Sequence, residues 1–212
     1  MIIGLIGQKR VGKDTVANIL KNIDSDCNFK CMALADPIKD IARIMFNFTE
    51  EQLYDDAKDI IDPKWGIKPR DFFEQFGTNI MQFDIYKYLP NLESHVEKRL
   101  FWVKSLLAKI KDYKSNTHVI VTDVRGLHEI YEINKFTEEK AIFIHIVKEQ
   151  ANNENAILIN RDVTNSFPLH ITQREPNEIP SEYIFDTIVN NGTLEELKIK
   201  VENVWKKIKC VE

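Results

Sequence analysis

The 212-residue sequence predicts an α/β fold built on a parallel five-stranded sheet whose faces are covered by helices. Three observations lead to this prediction. Short apolar runs alternate with helical patterns, which is typical of parallel sheets. The first run leads directly into a glycine-containing turn and a helix. A hydrophobic fraction of 43% is enough to form the core of one ordinary globular domain.

The five strands are expected at apolar runs rich in β-branched and aromatic residues, at 1–6, 29–34, 118–122, 141–147 and 183–189. Apolar side chains at helical spacing predict the helices, at 14–23, 37–46, 69–83, 92–111, 126–136 and 193–209. The last helix has the clearest start, because Thr193 can cap it and two glutamates follow in the first turn.

Two stretches interrupt the regular alternation. Residues 36–115 form a long, mostly helical insertion, and residues 148–182 are polar and rich in asparagine. The core of the single domain is therefore expected from 1–35, 116–147 and 183–212.

Composition excludes several classes of protein. The net charge is −4, and the sequence has no basic block that would bind a nucleic-acid polymer. No segment approaches the ~20 apolar residues of a membrane span. The apolar start lacks the basic lead of a signal peptide. The three cysteines (Cys27, Cys31, Cys210) have no metal-ligand spacing, so we expect a reduced cytoplasmic setting.

The clearest motif is a phosphate-binding loop after the first strand. Gly7 and Gly12 bracket four residues, and Lys13 follows, giving the frame G-x-x-x-x-G-K. Glycines let the backbone turn its N–H groups toward an anion, and the lysine adds positive charge for the outer phosphates. The helix that follows presents the positive end of its dipole to the same anion. The motif predicts binding of nucleotide phosphates.

Asp14 departs from the commonest form of this loop, in which Ser or Thr follows the lysine. A carboxylate at this position can hold Mg²⁺ through a water, because Mg²⁺ keeps several waters and prefers oxygen ligands. Asp14 can equally act as a cap at the helix N-terminus, where negative charge is favourable. The sequence leaves both roles open.

Asp123 and Arg125 come at the end of the third predicted strand. Ligands of open parallel sheets bind at the carboxyl ends of the strands. Asp123 is therefore placed to orient Mg²⁺ or to accept a hydrogen bond from substrate, and Arg125 to bind a phosphate bidentately. The alternative is a strand-ending turn in which Asp123 caps a helix and Arg125 is solvated.

Two further candidates lie in the helical insertion. Lys39, one turn into the helix that follows Asp36-Pro37, can meet an acceptor phosphate, although Asp as N-cap before Pro needs no ligand. Arg70 shares a helix face with Glu74 and with Gly77 or Thr78. A helical glycine indicates close approach of another group, whereas an Arg70–Glu74 surface pair is the simpler interpretation.

Several motifs together resemble viral deoxynucleoside monophosphate kinases. They are Gly-x-Lys-Arg-x-Gly-Lys-Asp-Thr at 7–15, Ala-Asp-Pro-Ile-Lys at 35–39, Pro-Arg followed by Gln-Phe-Gly-Thr within 69–78, Thr-Asp-Val-Arg at 122–125, and Asn-Asn-Gly-Thr-Leu-Glu-Glu-Leu at 190–197. The resemblance implies a P-loop kinase with a monophosphate-binding insertion and a lid. It also implies transfer of a γ-phosphoryl group from ATP, with Mg²⁺, to a deoxynucleoside 5′-monophosphate.

The resemblance also implies roles for individual residues. ATP would be bound by Arg10, Gly12, Lys13, Asp14, Thr15 and Thr193, and Mg²⁺ by Asp14 and Asp123. The resemblance assigns the monophosphate to Lys9, Arg70, Gln75, Thr78 and Arg125. Lys39, Asp123 and Glu175 are further candidates from their positions in the sequence. Lys13, Arg125 and Arg174 are the catalytic candidates, and Arg174 is favoured over Arg161 as the lid arginine because His170, Thr172 and Glu175 surround it.

Other functions stay open at this stage. The acceptor can be another phosphorylated small molecule, as in phosphomevalonate or dephospho-coenzyme A kinases, or the chain can be a nucleotide-dependent switch. The insertion with Arg70 and Gly77 disfavours a switch, which needs no acceptor pocket. The expected partners are ATP and a monophosphate, with neither a nucleic-acid polymer nor a membrane. A homodimer stays open, and the expected location is the cytoplasm, that of the host if the protein is viral.

Overall fold

The computed structural model describes residues 1–114, 116–138, 140–148, 176 and 178–211. Its centre is a five-stranded sheet in the order β2-β3-β1-β4-β5, with every neighbouring pair parallel. The strands are β1 (Ile2–Ile6), β2 (Asn28–Met32), β3 (Thr117–Val124), β4 (Ile142–Val147) and β5 (Asp186–Val189). The predicted parallel α/β fold is confirmed, with β1 in the centre of the sheet.

Helices connect and follow the strands. They are α1 (Lys13–Ile23), α2 (Asp36–Phe46), α3 (Glu50–Tyr54), α4 (Pro69–Glu74), α5 (Ile85–Tyr88), α6 (Phe101–Lys111), α7 (Leu127–Phe136) and α8 (Leu194–Lys209). A π-helical stretch (Gln75–Asp84) joins α4 to α5, and short 3₁₀ helices lie at Asp56–Asp59, Pro90–Leu92 and Ser181–Tyr183.

The chain divides into two compact units. The first comprises the described residues of Met1–Met32 and Lys114–Glu212, and contains the whole sheet. The second comprises Ala33–Tyr113 and is helical. The functional division into core, monophosphate-binding insertion and lid stays a prediction. Most of 148–182, including Arg161, Arg174 and Glu175, lies outside the described residues.

The core of the first unit follows from the alternation of side chains along the strands. Ile3 and Leu5 of β1 are fully buried and belong to one cluster with residues of α1 and α8. On α8, Val201 and Ile208 are also fully buried, since their spacing places them on one stripe of the helix. This packing fixes α1, and with it the phosphate-binding loop, against the sheet.

Gly77 explains much of the packing in the second unit. A Cβ at this position would lie 2.6 Å from Ile38 Cδ1, so the glycine allows α2 to approach. The indole Nε1 of Trp102 donates a hydrogen bond of 2.6 Å to the Gly77 carbonyl. The close approach predicted from the glycine is therefore observed, and the groups that approach belong to the chain itself.

Several predicted elements differ from the observed ones, among them the following three. The helix expected at 92–111 begins only at Phe101, because Arg99 has a φ of +72° and cannot continue an α-helix. The helix expected at 69–83 contains the π-helical stretch, in which the Gly77 carbonyl accepts a hydrogen bond from the Trp102 indole. The last strand, expected from 183, begins at Asp186 after a 3₁₀ turn.

Candidate active site

The loop between β1 and α1 has a backbone that requires its two glycines. Gly7 has a φ of +151°, and a Cβ there would overlap the carbonyl oxygen of Ile146. Gly12 has a φ of +99°, and a Cβ there would overlap Nδ2 of Asn190. Arg10 between them also has a positive φ, of +67°. The loop is therefore curved in the way that a phosphate cradle needs.

Lys13 is the first residue of α1 and folds back over this loop. Its Nζ donates hydrogen bonds to the carbonyls of Gly7 (2.9 Å) and Gln8 (2.7 Å). Burial and, next, the neighbouring Arg125 lower the pKa of Lys13 to about 8, although Asp14 and Asp123 act in the opposite direction. The ammonium group is thus held in a partly desolvated place with incomplete charge compensation.

The start of α1 resolves one of the alternatives for Asp14. Gly12 is the N-cap residue, and no side chain caps the helix by a hydrogen bond. Asp14 lies exposed in the first turn, where its negative charge is favourable, but its side chain makes no capping hydrogen bond. The first-turn N–H groups face the end of the loop, as in helices that bind anions.

The end of β3 comes to the same place because β3 is the direct neighbour of β1. Ile6 is paired with Val124, so Asp123 and Arg125 flank the residue opposite the end of β1. Both act electrostatically on Lys13. Asp123 lies within the strand rather than after it, because β3 ends at Val124, two residues beyond the expected end at 122. The structure thus brings together Lys13, Asp14, Asp123 and Arg125.

Glu129 holds the turn between β3 and α7, and the sequence analysis missed it. Its Oε2 accepts hydrogen bonds from the backbone N–H of Arg125 (2.7 Å) and of Gly126 (3.0 Å). Burial is the main cause that raises the pKa of this carboxyl to about 7, and Asp123 adds to it. The signal available in the sequence was a glutamate three residues after Gly126, because a carboxylate at this helix position can accept from the backbone N–H of the N-cap residue.

Asn190, the first residue of the motif at 190–197, was given no role of its own from the sequence. It follows β5 directly, and its Nδ2 donates a hydrogen bond of 2.9 Å to the carbonyl of Val11 in the phosphate-binding loop. The signal available in the sequence was a polar residue at the carboxyl end of a strand, the edge where parallel sheets bind ligands. Its partner, 179 residues away, could not be derived locally.

Arg70 in the second unit has a different partner from the one weighed in the sequence. Its Nε and Nη2 donate to the two carboxylate oxygens of Asp59, the Nη2 bond being 3.0 Å long. Glu74 acts on it only through weaker electrostatics, so the Arg70–Glu74 pair is not observed. The Asp59 carboxylate raises the pKa of Arg70. Asp59 lies in a 3₁₀ helix that the sequence pattern did not predict.

The other candidates of the second unit are already engaged. Oε1 of Gln75 accepts from Asn79 (2.8 Å), and Thr78 is only 9% exposed. The Lys39 ammonium lies over the Tyr54 ring, 3.9 Å from its centroid. The expected cap at Asp36 is not observed: Ala35 is the N-cap residue of α2, and the Asp36 carboxylate instead accepts from the Ala33 N–H (2.7 Å).

The remaining ATP candidates lie in the first unit. Lys9 and Arg10 are exposed on the phosphate-binding loop, and Thr15 is half-buried in α1. Thr193 caps α8 as predicted: its hydroxyl accepts from the Glu196 N–H, and Glu196 in turn accepts from the Thr193 N–H. Within the described ranges, no group of three or more His, Cys, Asp and Glu side chains is arranged to hold a metal ion.

Comparisons with known proteins agree with this picture for the N-terminal part. A sequence profile described as deoxynucleotide monophosphate kinase matches residues 1–62, the stretch that contains the phosphate-binding loop. A search of curated proteins finds no match. None of the helices in the described part of the chain is long and apolar enough to cross a membrane.

Solved structures of kinases align with nearly the whole chain at low identity. A gluconokinase from Sinorhizobium meliloti 1021 is 9% identical over 97% of this chain and 91% of its own, with a TM-score of 0.44. A shikimate kinase from Acinetobacter baumannii is 12% identical over 100% of this chain and 94% of its own, with a TM-score of 0.43. A dephospho-CoA kinase from Campylobacter jejuni is 14% identical over 98% of this chain and 96% of its own, with a TM-score of 0.45.

The fold resembles that of P-loop kinases in its own right. It has a central parallel strand, a glycine-bracketed loop and a helix that starts at the lysine. Together with the profile match over residues 1–62, these features support a P-loop phosphotransferase.

Proposed function

We propose that this protein transfers the γ-phosphoryl group of ATP to a deoxynucleoside 5′-monophosphate, giving ADP and the diphosphate. The observation that carries the proposal is the cluster of Lys13, Asp14, Asp123 and Arg125 at the carboxyl ends of two adjacent strands. The profile match to deoxynucleotide monophosphate kinases over residues 1–62 supports the choice of acceptor.

The phosphate-binding loop is assigned to the donor. Its backbone N–H groups and the start of α1 bind the phosphates of ATP, while Lys13 exchanges its bonds to the Gly7 and Gln8 carbonyls for phosphate oxygens. Arg10 and Thr15 flank this site, and Thr193 lies on the adenine side. The partly desolvated Lys13 favours such an exchange, because an anion compensates its charge better than two carbonyls do.

The donor set of this cluster fits Mg²⁺. Asp14 and Asp123 offer two carboxylates that both act on Lys13, and Mg²⁺ in nucleotide sites takes one or two carboxylates with phosphate oxygens and waters. The ion would neutralise charge on the donor phosphates. Asp14 and Asp123 are the residues proposed to hold it.

Arg125 is proposed to stabilise the transferring group. Phosphoryl transfer asks the protein mainly to position the two reactants in line and to compensate charge on the equatorial oxygens. The bonds from Glu129 to the backbone of Arg125 and Gly126 fix the point from which the arginine extends. A general base is not required, because the acceptor phosphate is already an oxyanion at neutral pH.

The acceptor is assigned to Arg70, with Gln75 and Thr78 on the same helical stretch and Lys39 on α2. The two bonds to Asp59 use Nε and Nη2 of Arg70. The opposite edge of the guanidinium, which includes Nη1, has the donor geometry that suits a phosphate. Lys9 is proposed as a further contact of the acceptor phosphate.

A coupled assay of ATP consumption with a panel of acceptors tests the proposal. The panel holds the four common deoxynucleoside monophosphates, the matching ribonucleotides, dephospho-coenzyme A and phosphomevalonate. We expect at least one deoxynucleotide to be used with a kcat/KM at least about tenfold above that of any non-nucleotide, the discrimination of roughly one buried contact. Turnover only with a non-nucleotide, or with no acceptor at all, would overturn it.

A further inference from the structure

Asn190 connects the end of the sheet to the phosphate-binding loop. Its backbone N–H donates to the carbonyl of Val147 (2.8 Å), which continues the pairing of β4 and β5 by one residue. Its side-chain Nδ2 donates to the carbonyl of Val11 (2.9 Å). The backbone of Asn190 is therefore fixed by the sheet, while its amide reaches a loop that is far away in sequence.

The bond to Val11 sets the direction of one peptide group. A trans peptide is planar, so the carbonyl of Val11 and the N–H of Gly12 point in opposite directions. Holding the carbonyl toward Asn190 turns the Gly12 N–H away from Asn190. Without that bond, this peptide could rotate, because Gly12 tolerates many backbone conformations.

The packing at Gly12 shows how closely the two residues are matched. A Cβ on Gly12 would overlap Nδ2 of Asn190, so the amide occupies the space that a side chain would need. Gly12 is also the N-cap residue of α1, directly before Lys13. Asn190 thus contacts the residue at which the loop becomes the helix.

We propose that Asn190 is a positioning residue for phosphate binding, which orients the Gly12 N–H toward the phosphates of the donor. The ligand class is a polyphosphate, either free or as part of a nucleoside triphosphate. The proposal rests on the donor half of the proposed function and is independent of the acceptor. Asn190 acts through the Val11–Gly12 peptide and needs no contact with the ligand.

Two substitutions separate the hydrogen bond from charge. Asn190→Ala removes the donor without adding charge. Asn190→Asp keeps the shape but cannot donate, and it places a carboxylate beside the Val11 carbonyl. Asn203→Asp is the matched control, since Asn203 is exposed on α8 and gains the same charge.

Calorimetry measures the binding of inorganic tripolyphosphate and of ATP to each variant at fixed Mg²⁺. We expect Asn190→Ala to weaken both ligands by about tenfold, and Asn190→Asp by more, since the loss of one hydrogen bond to a buried partner has an effect of this size. Equal weakening of both ligands indicates that the phosphates are affected and the base is not. Asn203→Asp should bind both ligands as the wild type does.

A second measurement begins with the wild-type protein, whose result does not depend on how a variant folds. In amide NMR spectra, tripolyphosphate should shift the Gly12 N–H strongly, and Asn190→Ala should reduce that shift. An unshifted Gly12 N–H, or wild-type affinity of Asn190→Ala, would overturn the proposal. Failure of the wild type to bind either tripolyphosphate or ATP would instead overturn the proposed function.

Discussion

Lys13 and Arg70 are the main anion-binding candidates of the two units, and their surroundings shift their pKa values in opposite directions. Burial, and then Arg125, lower the pKa of Lys13 to about 8. The carboxylate of Asp59 raises the pKa of Arg70. Lys13 is held mainly by backbone carbonyls, whereas Arg70 already has a full counter-charge. An incoming phosphate should therefore gain more from Lys13 than from Arg70.

The difference also reflects how the two regions are built. The phosphate-binding loop is made of backbone, and its geometry depends on glycines and on the pairing of β1 with β3. The Arg70 region is made of side chains, and it depends on an ion pair with a residue eleven positions earlier. A backbone-built site binds any phosphate, while a side-chain-built site offers more ways to select an acceptor.

The largest expected effect comes from removing Lys13, the cation whose charge is incompletely compensated. Lys13→Ala should lower kcat by about 100- to 1000-fold, because an electrostatic contact to a developing charge is worth roughly 3–4 kcal/mol. The coupled assay of ATP consumption measures this. Lys21→Ala, in the last turn of the same helix, is the control and should keep wild-type turnover. Wild-type activity of Lys13→Ala would show that the loop does not bind the donor.

The next prediction concerns the buried carboxyl that supports Arg125. The folded-state pKa of Glu129, about 7, lies above the unfolded value near 4.5. Protonation therefore stabilises the folded wild type fully below the unfolded pKa, and this contribution is lost as the pH rises through 7. Glu129→Gln keeps an acceptor oxygen but cannot titrate.

Denaturant unfolding of both proteins between pH 4.5 and 8 measures this effect. The free energy of unfolding of the wild type should fall relative to that of Glu129→Gln as the pH rises, by at most about 3 kcal/mol. A constant difference between the two proteins would mean that Glu129 is ionised throughout this range. Burial would then shift the pKa values of ionisable groups less in the first unit than the comparison with the Arg70 region assumes.

Arg70→Ala tests the compensated cation. It should raise the KM for the monophosphate by about 10- to 100-fold, as expected for a charge-assisted hydrogen bond, and leave the KM for ATP within about twofold. Arg43→Ala removes the same charge from the same unit, where Arg43 pairs with Asp40 and Glu50, and is the control. Equal changes in both KM values would remove Arg70 from the acceptor site.

The smallest expected effect is that of Asp59→Asn. The amide keeps one acceptor for Arg70 but loses the bidentate geometry, so the KM for the monophosphate should rise by about two- to fivefold. Steady-state kinetics with varied acceptor measure this, with Asp56→Asn in the same 3₁₀ helix as the control. A lower KM in Asp59→Asn would show that Asp59 competes with the acceptor instead of orienting Arg70.

The parts of the site that depend on local sequence could be predicted. The apolar run of β1, the glycine spacing and Lys13 lie within a short stretch, and Asp123 and Arg125 follow from the rule for strand ends. The parallel sheet follows from the alternation of elements. In each case a periodic pattern or a short motif contains all the information that the prediction needs.

The parts that depend on distant partners could not be predicted. Gly77 indicated a close approach, but only the structure identifies Ile38 and Trp102. The Arg70–Glu74 pair, one of the two alternatives that helical spacing suggested, is not observed, because a 3₁₀ helix supplies Asp59 instead. Asn190 reaches Val11 across most of the chain, and no local pattern encodes such a contact.

The Asp59–Arg70 pair has a further consequence, for the conformational entropy of the proposed acceptor binding at Arg70. A free arginine side chain loses about 2 kcal/mol of rotamer entropy when it is fixed by a ligand. Because two bonds to Asp59 restrain Arg70 beforehand, most of this loss has already occurred during folding. Acceptor binding should therefore show little conformational entropy loss at Arg70, and loosening the pair would transfer that loss to the binding step.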